Sequence, residues 1–440
     1  MSSKHVLISV PEYCLAVCLV LVASLKTASA QVEYEREPIN YSRATPQNPV
    51  EELIVQLARG ELQLEFDDRH GWLPSLLEEL EIPVSSQTLV FSKTSLQLHK
   101  ISPRTPRALY FNDDVYVGWC QRGDVIEIAT ADAQLGAVFY NLDQNDDQQP
   151  TIRRDRGNCL TCHASYRTQG VPGFLVRSIY SDANGRPRTG TRTFVTDHTT
   201  EFQKRFGGWY VSGSHGGMRH MGNVIARDRL DPEQIDREVG SNLESLADLC
   251  DTEPYLAEHS DLIALMVLEH QSQMHNFISR ASIETRIARH YDQGINEALG
   301  RPRDTVSPST KRRIETACEN LVQYMLFADE MPLDGPLQGS SSFAEDFAKL
   351  GPRDERGRSL RDFDLKTRMF RYPCSFLIYS ESFECLPSMA AERTRQKLQN
   401  VLLADEAVEG YEHLTAEDRR AIVEILDTTK PGYLREASGR

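Results

Sequence analysis

The chain is short of tryptophan and of basic residues. Three Trp occur in 440 residues, and 49 Lys and Arg stand against 64 Asp and Glu, a formal net charge of −15. An acidic chain binds phosphate backbones poorly, so nucleic acid is not an expected partner. Long apolar runs are also scarce. Mean hydropathy is −0.45, and the one strongly apolar stretch, Tyr13 to Leu25, is too short to cross a bilayer comfortably. A multi-span membrane protein is thereby excluded. Internal repeats and low-complexity tracts are missing. Hydrophobic residues make up 40% and charged residues 26%. That balance excludes wholesale disorder, a collagen-like repeat and a small disulfide scaffold. The length allows two or three domains and a large core.

The apolar stretch follows Lys4 and precedes Ala28-Ser29-Ala30, a small-residue pattern of the kind signal peptidase cuts. Residues 1–30 read as a secretory signal cleaved after Ala30. The expected location is periplasmic or secreted, with no membrane span after cleavage. An uncleaved N-terminal anchor is one alternative. A lipoprotein signal at Leu15-Ala16-Val17-Cys18 is another, although little apolar sequence precedes Cys18 and Val17 is bulky there. Beyond residue 30 seven cysteines remain: Cys120, Cys159, Cys162, Cys250, Cys318, Cys374 and Cys385. An odd number cannot all pair within one chain, so a disulfide framework explains the set poorly. Burial as free thiols is the expectation for Cys374 and Cys385.

Residues 31–48 are polar, with Pro38 and Pro46, and read as an extended arm. A helix is expected over 49–59, capped by Asn48, started by Pro49 and stopped by Gly60. A shorter one fits 73–80. Between 88 and 142 short β-rich runs alternate with turns such as Asn112-Asp113-Asp114 and Arg122-Gly123-Asp124, which predicts a small antiparallel sheet. Residues 145–150 read as an exposed loop. A second hairpin is expected from 174–180 and 191–196 around Asp182-Ala183-Asn184-Gly185. From 231 the chain reads as mostly helical, with Asp231-Pro232 opening one helix and Ser260-Asp261 a longer one to about Gly294. Residues 331–358 read as loop, 371–379 as core, and 388–403 and 415–427 as the last helices. The expected class is α+β. A 31–150 region holds the N-terminal helix and β-rich part, and a mainly helical 151–440 region follows.

The sharpest local signal is Gly157-Asn158-Cys159-Leu160-Thr161-Cys162-His163, which contains C-x-x-C-H. Thiols at i and i+3 share one side of a helical turn and can add to the two vinyl groups of a haem. The histidine after the second thiol then supplies an axial imidazole to the iron. Such attachment is made outside the cytoplasm, in keeping with a signal segment. One covalent haem c is the expected cofactor, attached at Cys159 and Cys162 with His163 on the metal. Two other readings remain: half of a zinc site, although no second C-x-x-C follows, or a structural disulfide.

The five residues from Cys159 to His163 resemble the attachment motif of c-type cytochromes. The segment Leu414 to Leu426 is similar to the last helix of class I cytochromes c, with Thr415 and Asp418 as a variant capping box. As a whole the chain resembles large exported bacterial proteins that contain a cytochrome c domain. The resemblance implies thioether bonds at Cys159 and Cys162 and proximal ligation by His163. The match covers a tenth of the chain or less. Some 250 residues separate the motif from the cytochrome-like last helix, so a different fold holding a c-type haem is an open alternative.

A second axial ligand is commonly Met or His. The Gly-rich window 206–223 holds His215, Met218, His220 and Met221, with Met218 lying 55 and Met221 58 residues after His163. The Met pair is placed ahead of the His pair. A second place is the helix around His270, where Ile263, Val267, His270, Met274 and Phe277 share a face and His275 lies beside it. The bland reading, a hydrogen-bonded core histidine, is favoured there. Glu269 with His270 and His275 matches no common metal spacing. Arg153, Arg154, Arg156, Arg167 and Arg177 flank the motif and are candidates to pair with haem propionates. The leading expectation is an exported single-haem cytochrome passing one electron to or from a redox partner protein or small donor. One alternative is a peroxidase-like haem enzyme with an open sixth position and His215 or His220 as acid/base. The other is a haem-free zinc- or disulfide-stabilised binding module.

Overall fold

A computed structural model describes residues 33–145, 149–226 and 234–435. The expected signal segment 1–30, the middle of the 145–150 loop and the helix start at Asp231-Pro232 lie outside the described residues. The architecture is α+β, with an antiparallel sheet in the N-terminal half and helices dominating the C-terminal part. Among the described residues no helix is long and apolar enough to cross a membrane.

Helix α1 (Pro49–Arg59) has the ends its sequence implies. The Asn48 side chain accepts from the Glu51 N–H at 3.1 Å, and Gly60 closes the helix at φ +68°. The residues before it are packed rather than extended, since Tyr34, Ile39 and Tyr41 are buried. The Tyr41 hydroxyl donates to the Ala137 carbonyl at 2.8 Å. Burial of these three side chains outweighs the two prolines. Helix α2 (Leu73–Glu79) follows.

The sheet is a meander of β1 (Thr88–Val90), β2 (Arg107–Phe111), β3 (Val115–Trp119), β4 (Val125–Asp132), β5 (Gly136–Asp143) and β6 (Ile152–Arg154), each antiparallel to the next. Strand β6 lies where the sequence suggested only a basic flank of the motif. Register sets up two rows of side chains on one face. Leu109, Gly118, Glu127 and Asn141 align in the first. Phe111, Tyr116, Ala129 and Phe139 align in the second. Alternation sends their neighbours Ile126 and Ile128 to the other face, and both are fully buried.

Beyond the sheet the motif forms one helical turn, α3 (Leu160–His163). The hairpin β7 (Arg177–Ile179) and β8 (Thr193–Val195) follows as expected. Strand β9 (Gly213–Ser214) pairs later with β10 (Gln338–Gly339). Residues 235–260 are irregular, where helix was expected. Asp236, Ser245 and Asp251 each accept from a backbone N–H two residues on, which diverts the chain from helix.

Helix α4 (Leu262–Ala298) is about 55 Å long at 1.5 Å per residue. Asp261 caps it, accepting from the N–H groups of Ile263 and Ala264 at 2.7 and 3.0 Å. Leu262 to Ser272 are all buried, so this end is a core helix and not an amphipathic one. Helix α5 (Pro308–Met325) packs along it. The expected 331–358 loop includes the short helix α6 (Phe343–Lys349), whose Phe343 and Phe347 are buried. Helices α7 (Glu381–Glu384), α8 (Ser388–Leu402) and α9 (Ala416–Thr429) end the chain. Thr415 and Asp418 form the reciprocal capping box, each accepting from the other's N–H at 3.0 Å. Cys374 is buried as a free thiol, but Cys385 is an exposed one. One apolar cluster runs from Tyr34 to Leu434.

Candidate cofactor site

The two side-chain rows form the floor of a cavity of about 380 Å³. Tyr116, Gly118, Glu127, Ala129 and Phe139 all line it. Gly118 and Ala129 sit at its centre, where small side chains leave space between Leu109 and Phe139. The opposite wall comes from Leu268 and Ser272 of α4, residues 174–177 and Trp209. Leu96 and Leu98, both about half exposed, form its rim. Cys159, Cys162 and His163 complete the lining.

The motif turn is built from its own flanks. Asp155 accepts from the N–H groups of Gly157 and Cys159 at 3.0 and 3.1 Å and from the Asn158 amide at 2.9 Å. Burial opposes its ionisation, but these hydrogen bonds outweigh that and hold its carboxyl below the usual range. Cys159 and Cys162 are free thiols. Burial, helped by the Asp155 charge, pushes the Cys159 thiol up to about 12. It is a neutral thiol at pH 7.

His163 is fixed from two directions. The Gly173 N–H donates to its carbonyl at 2.8 Å. Its ring Nδ1 lies 3.0 Å from the Gly173 carbonyl. A carbonyl only accepts, so Nδ1 carries the proton and Nε2 keeps its lone pair. Among the described residues Nε2 has no hydrogen-bond partner. Burial pushes the imidazole down to about 4, so the ring is neutral at pH 7. The ring packs on Phe139 at 4.8 Å between centroids. Asn276 of α4 steadies the next residue, exchanging hydrogen bonds with the backbone N–H and C=O of Phe174, both at 2.8 Å. A donated Nδ1–H with a free Nε2 is the arrangement that prepares a histidine to ligate a metal.

The arginines flanking the motif separate by partner. Arg153 pairs with Asp143. Arg154 donates to the carbonyls of Tyr41 and Ala44, both at 2.7 Å. Arg167 lies over the Tyr166 ring, and Arg156 is exposed. Arg177 alone of the five lines the cavity, and its guanidinium has no acceptor among the described residues. Burial holds its pKa below the ordinary value. Lys93 lines the same space.

The four side chains expected as sixth ligands do not line this cavity. Met221 is buried with Tyr180 and Ala226 in a separate small cluster, its sulfur 3.8 Å from the Ser178 hydroxyl. The Met218 sulfur accepts from the Asp334 N–H at 3.5 Å. His215 and His220 lie together, ring centroids 4.7 Å apart, against Phe202. His215 Nε2 accepts from the Asn242 N–H at 3.1 Å, and His220 Nδ1 from the Gly222 N–H at 3.0 Å. The nitrogens left over, His215 Nδ1 and His220 Nε2, are therefore the protonated ones. The expectation of a sixth ligand from 206–223 draws no support from this placement. The window folds into its own packing, and only Trp209 reaches the cavity.

The histidines of α4 are held elsewhere. His270 Nδ1 meets His198 Nδ1 at 2.8 Å, and its Nε2 meets the Ser375 hydroxyl at 2.9 Å. His275 Nε2 meets the Asp113 carbonyl at 2.7 Å. Glu269 faces Arg205 at 3.5 Å, both fully buried. Burial, only partly offset by Arg205, pushes Glu269 up to about 7. These are interior polar groups, in keeping with the bland reading.

Among the described residues no group of three or more His, Cys, Asp or Glu side chains is arranged to hold a metal ion. The zinc alternative thus finds no ligand set, and Cys159 and Cys162 are not joined as a disulfide. Haem asks for less: two thiols on one turn, one lone pair, an apolar space and a cation for its carboxylates. The residues present fit that demand. Comparison with protein-family models, with curated proteins and with solved structures returns no match for this chain.

Sequence reading did not single out Gly118, Glu127, Phe139, Gly173 or Asn276. The pairing of β3 with β4 puts Gly118 and Glu127 on one face, and nothing local in the sequence says which face meets the motif.

Proposed function

We propose that the chain is an exported c-type haem protein with a single covalent haem and an exchangeable sixth iron position. Cys159 and Cys162 are the thioether donors, and His163 is the proximal ligand. The observation that carries the reading is the His163 ring, neutral and bound through Nδ1–H to the Gly173 carbonyl, with Nε2 unpaired at the cavity. The bound iron would supply one-electron chemistry and a coordination position. The protein's own part is orientation and exclusion of water. Gly173, steadied through Phe174 by Asn276, holds the imidazole, the Phe139, Tyr116 and Trp209 walls would surround the cofactor, and Arg177 would receive a propionate.

Among the described residues the lining contains no second histidine and no methionine. That favours the ligand-binding, enzyme-like alternative over a cytochrome confined to electron transfer by a Met or His sixth ligand. A redox partner protein or small electron donor remains part of the reading.

The test is expression with the c-type maturation machinery, followed by a pyridine haemochrome assay on acid-acetone-extracted protein. One covalent haem per chain is expected, absent when Cys159 and Cys162 are both changed to Ala. The ferrous protein should bind carbon monoxide readily. Haem that extracts, or none at all, defeats the proposal. A six-coordinate ferrous form that refuses carbon monoxide defeats the exchangeable position alone.

A further inference from the structure

The cavity floor carries an ion pair that spans three strands. Arg107 on β2 pairs with Glu127 on β4, and the side chains are 15% and 16% exposed. Strand β3 lies between them. The intervening position in the row is Gly118, where a side chain longer than a methyl would occupy the path of the arginine. A Cβ there would lie 3.5 Å from both Cδ and Cζ of Arg107 and 3.3 Å from Leu109 Cδ2. The arginine therefore lies flat across the strand on a surface cleared by glycine. Glu127 engages Nη1 alone. The buried Nε–H has no acceptor among the described residues. Largely burying an ion pair and leaving N–H groups unused is costly, and better-packed apolar residues would serve stability more.

Its position relative to His163 is informative. His163 packs against Phe139 on β5. Arg107 starts from β2, but its guanidinium lies over Gly118 of β3 and reaches Glu127 of β4, one to two strand spacings from β5, or about 5–10 Å. The upper end of that span has room for an iron beside Nε2, a small ligand and a guanidinium beyond it. Arg107 offers donors only. With the Arg107 Nε–H unused at the cavity, an oxygen-bearing or anionic acceptor suits it.

We infer that Arg107, laid over Gly118 and held by Glu127, hydrogen-bonds a small anionic or oxygen-terminated ligand at the iron position opposite His163. This rests on the haem reading above. Arg107 is then a ligand-contacting residue, and Gly118 and Glu127 position it.

The experiment uses the full holoprotein in the ferric state, with fluoride and cyanide as probes and carbon monoxide for the ferrous state. Pyridine haemochrome is measured first, so failure of the haem reading is seen before any ligand is added. Arg107→Leu should lower fluoride affinity at least tenfold, shift the high-spin charge-transfer band of the fluoride adduct and move the bound carbon monoxide stretch. Arg107→Lys should recover part of the affinity. Gly118→Val, whose γ-methyls extend beyond the 3.5 Å at which a Cβ already touches the arginine, should displace the guanidinium and fall between. Because Arg107→Leu strands Glu127, the Arg107→Leu/Glu127→Gln double variant serves as the folding control and should show the same spectroscopic shifts. Wild-type fluoride affinity and band position in both Arg107→Leu variants would overturn the inference. So would a changed haem midpoint potential with fluoride binding intact, since Arg107 would then be a propionate anchor.

Discussion

His163, half-buried at the cavity, and the buried His215–His220 pair are neutral imidazoles placed in opposite chemical states by the same kind of contact. At the motif the partner is a carbonyl, so the ring gives its proton away from the cavity and keeps a lone pair towards it. In the Gly-rich loop the partners are backbone N–H groups, so each ring accepts and keeps its remaining proton. A histidine's readiness to bind a metal is thus set by the sign of its other hydrogen bond, and burial says little about it. The loop looked at least as promising as any other place for a sixth ligand because composition reports residue types and not partners.

That contrast can be broken experimentally, starting with the largest effect. Changing His163 to Ala should remove the proximal ligand and shift the haem absorption and magnetic circular dichroism spectra wholesale, whereas His220→Ala should leave both unaltered. The reverse pattern would move the metal site to the loop. Next comes the support of His163. Asn276→Ala removes two buried hydrogen bonds to Phe174 and should cost about 2–3 kcal/mol in urea unfolding, with a measurable change in haem midpoint potential. An unchanged potential would detach Asn276 from the iron.

The pH response of the haem-free chain sharpens the comparison further. Burial, then the neighbouring His215, pushes His220 down to about 3, so the native state takes up fewer protons than the unfolded one below pH 6.5. Its contribution is present above that pH and is lost as pH falls towards 3. Glu269 runs the other way. Raised to about 7, it contributes below pH 4.5 and loses that contribution as pH rises to 7. His220→Gln should flatten the acid limb of unfolding free energy against pH, and Glu269→Gln the limb between 4.5 and 7. Parallel curves for variant and parent would refute both assignments. Smallest of all, Met218→Leu and Met221→Leu should each cost under about 1.5 kcal/mol by thermal unfolding and leave the haem spectrum unmoved. A lost thioether band in either would restore that methionine as ligand.

Much of the frame was legible from local chemistry. Asn48, Gly60, Asp261 and the Thr415–Asp418 pair announced helix ends because a cap is a short-range contact between side chain and backbone. The strands of the meander announced themselves by alternation and turns. The sheet's sixth strand did not, since three residues beside a charged motif carry no period. The 235–260 stretch misled because Asp and Ser are compatible with helix until their side chains find the backbone. Within the site, the motif residues could be named from spacing alone. Gly173, Asn276 and the Arg107–Glu127 pair could not, because each acts across 10 to more than 100 residues of chain.

The plan of the sheet bears on how the protein is made. Each strand of the floor pairs with its sequence neighbour, so the floor closes through short loops and is suited to early formation. The wall from α4 arrives some 100 residues after the motif. During synthesis there is thus an interval in which the thiols stand on a finished platform with no wall opposite. An attachment enzyme working on a nascent or partly folded chain would meet the motif open on one side, and closure by α4 would follow the chemistry as a separate, later event.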